Sequence, residues 1–269
     1  QCARLNKIVG PETFNGSLFL LPKDCRLTEF TLEGISNIQG DFQCKDYSYV
    51  KEFVMPFIRV AGDMTIALNS GSVNTAAEIE FPKLQEIGGT LTLGSNSNAN
   101  NIAFPSLKKI LGSCSVTTTD LKNDIEFTNL ESIGTDGADE QIKFEIEATN
   151  ILCPKLKTIN GKFDIATSSF MFGMEVDKVS YPNVESISEN LSITCPYSDF
   201  GSNGILSIDF SGLKSVKGIS ISGQGDVTDF SSFKYLFENN VLTGESQWSV
   251  RECAYNPTYQ DMKNGKYKQ

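Results

Sequence analysis

The sequence contains no histidine. That absence removes the Ser-His-Asp and Cys-His arrangements of nucleophilic catalysis and the commonest nitrogen ligand of zinc. None of the seven cysteines, Cys2, Cys25, Cys44, Cys114, Cys153, Cys195 and Cys253, falls in a Cys-x-x-Cys pair, so the usual zinc ligand sets are missing on that side too. Basic residues are in deficit: 23 Lys and Arg against 33 Asp and Glu give a formal charge of −10. This balance argues against a nucleic-acid partner, which needs clustered cations, and against docking on an anionic membrane. The charge reads as a contribution to solubility. No apolar run reaches the roughly 18 residues of a spanning helix. There is no P-loop, and GISISGQG (Gly218–Gly225) has neither the spacing nor the following helix of a dinucleotide fingerprint. No cofactor or metal is expected.

What is present is a core-forming composition, 39% hydrophobic over 269 residues, which excludes wholesale disorder. The chain begins at Gln1, which reads as a processed or trimmed start. Two sequons, Asn15-Gly16-Ser17 and Asn190-Leu191-Ser192, are open to N-glycosylation, whereas Asn256-Pro257-Thr258 is blocked by its proline. With the cysteines, these features favour a secreted protein.

The most informative feature is repetition. EFPKLQEIGGTLTL (Glu80–Leu93) returns as AFPSLKKILGSCSV (Ala103–Val116). The Gly-led half recurs as FNGSLFL, IQGDFQC, VAGDMTI, INGKFDI, ISENLSI and VKGISIS, and a copy at Ile133 is interrupted before IKFEI. The preceding half recurs as IEFTNL, ILCPKL, VSYPNV and IDFSGL. Units of this length signal a solenoid. The alternation in GTLTL and GKFDI is that of a strand with one buried face, and the mid-unit proline forbids a continuous helix. Glycine before the strand would supply a corner through its unrestricted backbone angles. Two short strands per unit, wound about nine times, predict an all-β, right-handed parallel β-helix. A leucine-rich repeat fits less well for want of an Asn ladder and a helical stripe, and a Greek-key sandwich would not need identical units.

In that frame Leu91 points inward, in one stack with Phe42, Met64, Cys114, Phe163 and Leu191. Cys114 is therefore a small hydrophobe in an apolar column, and Cys44 and Cys153 also read as buried thiols, aligned with Leu93 and Phe81. An open solenoid needs caps. Cys2 and Cys25 flank the first coil, and a bridge between them would staple the N-terminal cap. SSFKYLFENNVL (Ser231–Leu242) reads as a short capping helix carrying Phe233, Leu236 and Phe237 inward, with the single tryptophan, Trp248, packed in the same cap. Cys195 is the candidate partner of Cys253. The solenoid is expected to occupy residues 1–253, and 254–269 to form a loose polar tail leading towards a missing C-terminal region.

Outward acids, Asp41, Asp63, Glu145 and Asp164, are single and scattered over different coils, so they read as a solvated face rather than as the paired carboxylates of glycoside hydrolysis. The candidate binding residues are the aromatic and Met side chains of two loops: Phe170, Met171 and Phe172 in SSFMFGMEV, and Tyr47 and Tyr49 in CKDYSYVKEF. An enzyme is not expected.

FPKLQEIGGTLTL (Phe81–Leu93) and FPSLKKILGS (Phe104–Ser113) resemble the receptor L domain, the β-helical module of insulin- and epidermal-growth-factor-type receptors. LKSVKGISIS (Leu213–Ser222), the cysteine-bracketed start and the ending FKYLFENNVLTGESQWSVREC (Phe233–Cys253) are more similar still to the fungal GPI-anchored cell-wall proteins of the extracellular-mutant and sporulation-specific family. The resemblance covers nearly the whole chain. It implies a secreted, glycosylated, non-catalytic surface protein of ordered wall assembly, with wall polysaccharide or wall proteins as partners, and membrane attachment only through a GPI anchor not contained in this chain. The Ser/Thr-rich stalk, the anchor signal and the cysteine that usually precedes the C-terminal helix do not occur in this sequence. A ligand-binding receptor ectodomain or adhesin is the alternative, and a polysaccharide-active β-helix enzyme a more distant one.

Overall fold

A computed structural model of the chain describes residues 7–21, 31–45, 52–67, 77–94, 99–117, 125–137, 143–147, 151–166, 178–195, 205 and 207–269. The fold is a parallel β-solenoid, all-β apart from short helical segments near the C-terminal end. The chain divides into two compact units, Gln1–Leu130 with Asn150–Cys153, and Glu131–Thr149 with Pro154–Gln269.

Each coil of the first unit uses three short strands where the sequence pattern suggests two. Ala77–Glu80 is an aromatic-side strand, Glu86–Ile87 a two-residue corner strand and Leu91–Gly94 a Gly-led strand. The next coil repeats them as Ala99–Ala103, Lys109–Ile110 and Cys114–Thr117. The extra strand arises because Leu-x-x-Ile, caught between two bends, leaves only two residues extended. The register follows the repeat: Leu91 lies beside Met64 on one side and Cys114 on the other, and Met64 beside Phe42. All four are fully buried.

The aromatic-Pro-x-Leu element makes the bend between the first two strands. Leu84 N–H donates to the Phe81 carbonyl (3.3 Å) and Leu107 N–H to that of Phe104 (3.3 Å). Proline at the second turn position pre-sets φ and lacks only a donor that the turn does not use. The residue after it ties coils together: Ser106 Oγ donates to the Pro82 carbonyl (2.6 Å) and Asn129 Nδ2 to that of Pro105 (2.5 Å).

Gly40, Gly62, Gly89 and Gly112 are required for space, not for backbone angle. None has positive φ, whereas Gly34, Gly134, Gly137, Gly223 and Gly265 do. A Cβ on Gly112 would lie 2.6 Å from the Gly89 carbonyl carbon, and one on Gly62 2.8 Å from that of Gly40. Successive coils touch backbone to backbone at this corner, which corrects the conformational reading of these glycines.

Phe81, Phe104 and Phe127 stack face to face inside the first unit, with centroids 5.1 Å apart at each step and planes within 10°. Cys153 follows the strand Ile151–Leu152 that pairs beside Ile125–Glu126, and takes the ring position next in this column. Cys44, Cys114 and Cys153 are buried thiols, as the repeat alignment requires, and burial pushes all three well above the ordinary thiol pKa.

In the second unit Lys143–Glu147, Lys162–Ala166, Asn190–Cys195 and Gly218–Gly225 form Gly-led strands, with Phe144 in register with Phe163 and Phe163 with Leu191. The interruption after Ile133 is thus absorbed before the strand resumes. The capping element starts as one more repeat. Phe210 to Leu213 and Phe230 to Phe233 make the same turn, and Asp209 and Asp229 each accept from the N–H two residues on. After Phe233 the chain forms a five-residue helix, Lys234–Glu238, and buries Phe233, Leu236 and Phe237 as the amphipathic pattern implies. The chain then returns as a strand, Trp248–Cys253, parallel to Gly218–Gly225.

Residues 254–269 are not a loose tail. Thr258 caps a second short helix, Tyr259–Lys263, through reciprocal bonds with Asp261, which buries Tyr259 and Met262. Trp248 Nε1–H donates to the Pro257 carbonyl (2.9 Å), and its ring meets Phe230, Phe233 and Phe237 edge-on. The Asn256 amide bonds both the N–H and the carbonyl of Cys253 (3.0 and 2.7 Å), closing the loop. The driving force is burial of two apolar side chains three residues apart on one helix face, which the polar composition of the segment conceals.

Candidate functional site

Inward positions are filled by the core, so any site must be built from what the strands and corners present outward. In the first unit the corner strands carry Arg59, Glu86 and Lys109 in register, with Arg59 Nε donating to Glu86 Oε1 at 2.8 Å. In the second unit Lys214 Nζ meets Glu185 Oε2 at 2.9 Å and Lys217 Nζ meets Glu189 Oε1 at 2.5 Å. The Lys214 hydrogen bond and charge, helped by Lys157, hold the Glu185 carboxyl below the ordinary range. Side chains one coil apart are near neighbours, and like charges there would repel. Alternating sign removes that penalty, so this face is a register device.

At the Gly corner of the first unit, Ser17 Oγ accepts from Asp41 N–H (2.9 Å), Asp41 Oδ1 from Asp63 N–H (2.9 Å) and Asp63 Oδ1 from Thr90 N–H (2.7 Å). Asp41 and Asp63, read from sequence as a solvated face, are rungs of a hydrogen-bond ladder between coils. The signal was available: the residue after each repeat glycine is Ser, Asp, Asp, Thr and Ser in five successive units, all short side chains with an acceptor oxygen.

The outer face of the Gly-led strands in the first unit differs from both. Phe19, Gln43, Thr65, Thr92 and Ser115 lie in one register row. None is ionisable. Phe19 is 54% exposed and, among the described phenylalanines, the one that stands out in solvent. In the second unit the equivalent row runs through Glu145, Asp164, Ser192, Ser220 and Ser249, so that two of the acids read from sequence as scattered hold neighbouring register positions.

The aromatic loop candidates Tyr47, Tyr49, Phe170, Met171 and Phe172 lie outside the described residues, as do Cys2, Cys25 and the side chain of Cys195. Cys253 is partly buried, its Sγ 3.6 Å from the Arg251 carbonyl. The sequon asparagines Asn15 and Asn190 are both exposed. Among the described residues no group of three or more Cys, Asp and Glu side chains is arranged to hold a metal ion, and no helix is long and apolar enough to cross a membrane. Comparison with known proteins finds no matching family model, no matching curated protein and no matching solved structure.

Proposed function

We propose that the chain is a non-catalytic extracellular glycoprotein of a fungal cell surface, a stiff scaffold that holds wall polysaccharide or wall proteins. The observation that carries this reading is the division of labour on the described outer surfaces. In the first unit Arg59, Glu86, Asp41 and Asp63 are engaged in coil-to-coil bonds, while a neutral row of ring, amide and hydroxyl groups faces out on the Gly-led strands. That row of the first unit suits binding better than bond cleavage, since hydrolysis needs a pair of carboxylates with separated acid and base roles, and the row holds none. The resemblance of FPKLQEIGGTLTL and the C-terminal segment to wall-organisation proteins supports the same reading, as do the exposed sequon asparagines. A GPI anchor would lie beyond this chain. The test is fractionation of the native full-length product. Recovery in the wall fraction, released by glycan-degrading enzymes and shifted in mass by deglycosylation, is expected. Recovery in the cytosol refutes the reading, a transmembrane segment with a cytoplasmic domain turns it to a receptor, and new reducing ends on incubation with wall polysaccharides turn it to an enzyme.

A further inference from the structure

The row of outward residues on the Gly-led strands of the first unit has a definable ligand chemistry. We propose that this face binds a neutral, straight, β-1,4-linked polysaccharide ribbon, lying along the stack from Phe19 to Ser115. The proposal rests on the extracellular scaffold reading and specifies its ligand.

Three observations converge on this occupant. The first is charge: in a chain of formal charge −10, the five row positions carry none, while the corner-strand face of the same unit carries Arg59, Glu86 and Lys109. A charged polymer would find no counter-ion in the row, and a neutral one is not asked to give up hydration around fixed ions. The second is the ring. The inward alternation places Phe42, Phe81, Phe104 and Phe127 in the core, yet Phe19 stands outward on its strand at 54% exposure, beside Gln43. An exposed ring at the end of a polar row offers its face to the C–H face of a pyranose, where the apolar area removed from water is largest. Gln43, Thr65, Thr92 and Ser115 follow, and amides and hydroxyls both donate and accept, matching sugar hydroxyls without demanding one orientation.

The third is straightness. In-register parallel strands repeat every 4.7–4.9 Å, so the five positions cover about 19 Å in a line. A β-1,4 linkage turns each sugar over relative to the last and keeps the chain straight, as in cellulose and chitin, so every rung meets it at a similar height. A β-1,3-linked chain coils and leaves the row after a few sugars. The flanks allow the approach. The far-side column is Lys45, Ala67, Gly94 and Thr117, low at Ala67 and Gly94 beside the middle of the row and bulky only at Lys45, and on the near side Asp41 and Asp63 turn an oxygen to backbone N–H groups of the next coil.

The test is calorimetric titration of the chain with chitohexaose, cellohexaose and the β-1,3-linked laminarihexaose, using the unaltered protein, Phe19→Ala, Thr92→Lys and, on the corner-strand face, Glu86→Gln. Binding of at least one β-1,4 hexaose is expected, weakened about tenfold or more by Phe19→Ala and by Thr92→Lys and unchanged by Glu86→Gln. Thermal unfolding of each variant separates lost binding from lost folding. Absence of binding to both β-1,4 hexaoses, or binding that Thr92→Lys leaves intact in a folded protein, overturns the proposal. If the chain and Thr92→Lys are then retained equally on wall polysaccharide of another linkage, the scaffold reading stands and only this face is refuted.

Discussion

Replacing Gly89 by alanine probes the closest approach between coils, and Gly94, on the Gly-led strand that follows, supplies the internal control. A Cβ on Gly89 would meet Asp63 Oδ1, the Gly62 carbonyl carbon at 2.8 Å and Asp63 N at 2.9 Å. Two of these are backbone atoms of the adjacent coil and cannot rotate away, and the third is the acceptor that holds Thr90 N–H. Forced overpacking of this kind costs about 1–3 kcal/mol, before any loss from the ladder bond. A Cβ on Gly94 would touch only Thr117 Oγ1 at 3.5 Å, an ordinary contact. There the reduced freedom of the unfolded chain dominates, and alanine is expected to stabilise by about 0.4–1 kcal/mol. The same chemical change, a few residues apart, should therefore differ by about 1.5–4 kcal/mol. Urea unfolding followed by far-UV circular dichroism reads this directly as a shift in midpoint at constant slope. If Gly89→Ala is as stable as Gly94→Ala, the coils are not packed backbone to backbone at this corner.

Phe104→Ala opens the middle of the three-ring stack and is expected to cost about 3–5 kcal/mol, against little for a surface change such as Lys108→Ala; urea midpoints check both. Asn183→Ala removes the Nδ2 bond to the Pro154 carbonyl (2.8 Å) and should cost about 0.5–1.5 kcal/mol in the same assay. Cys44, Cys114 and Cys153 should resist iodoacetamide in the native protein and label on unfolding, as read by peptide mass mapping. Glu185 has its folded pKa lowered by Lys214, so its contribution is present above the unfolded carboxylate pKa and lost as pH falls through the folded value. Glu185→Gln should therefore flatten part of the loss of stability on the acid side.

The repeat frame made the register legible, because aligning the copies already placed Cys114 beside Leu91 and Cys44 in the same column as Leu93, and parallel stacking of like units does the rest. The meaning of the glycines was not legible: a backbone contact with another coil leaves the same mark in sequence as a turn. Asp41 and Asp63 looked like solvent-facing acids because the ladder that uses them joins residues 22–27 apart. The strand Trp248–Cys253 was missed for want of a leading glycine, and the helix Tyr259–Lys263 because its two buried side chains sit in a polar stretch, although Thr258 and Asp261 have the spacing of a helix start. The neutral outward row could have been read from alternate positions of the aligned copies, where Phe, Gln, Thr, Thr and Ser stand one above another.

Disulfide trapping tests the stacked, parallel, in-register arrangement most directly. With Thr65→Cys and Thr92→Cys, the two residues lie on neighbouring strands in register, about 4.8 Å apart, within disulfide reach. With Thr65→Cys and Ser115→Cys a whole strand intervenes and the separation doubles to about 9.6 Å. Mild oxidation and peptide mapping should find the 65–92 crosslink and not the 65–115 crosslink. Efficient formation of the second, or failure of the first in a folded protein, would contradict the stacking on which the account rests.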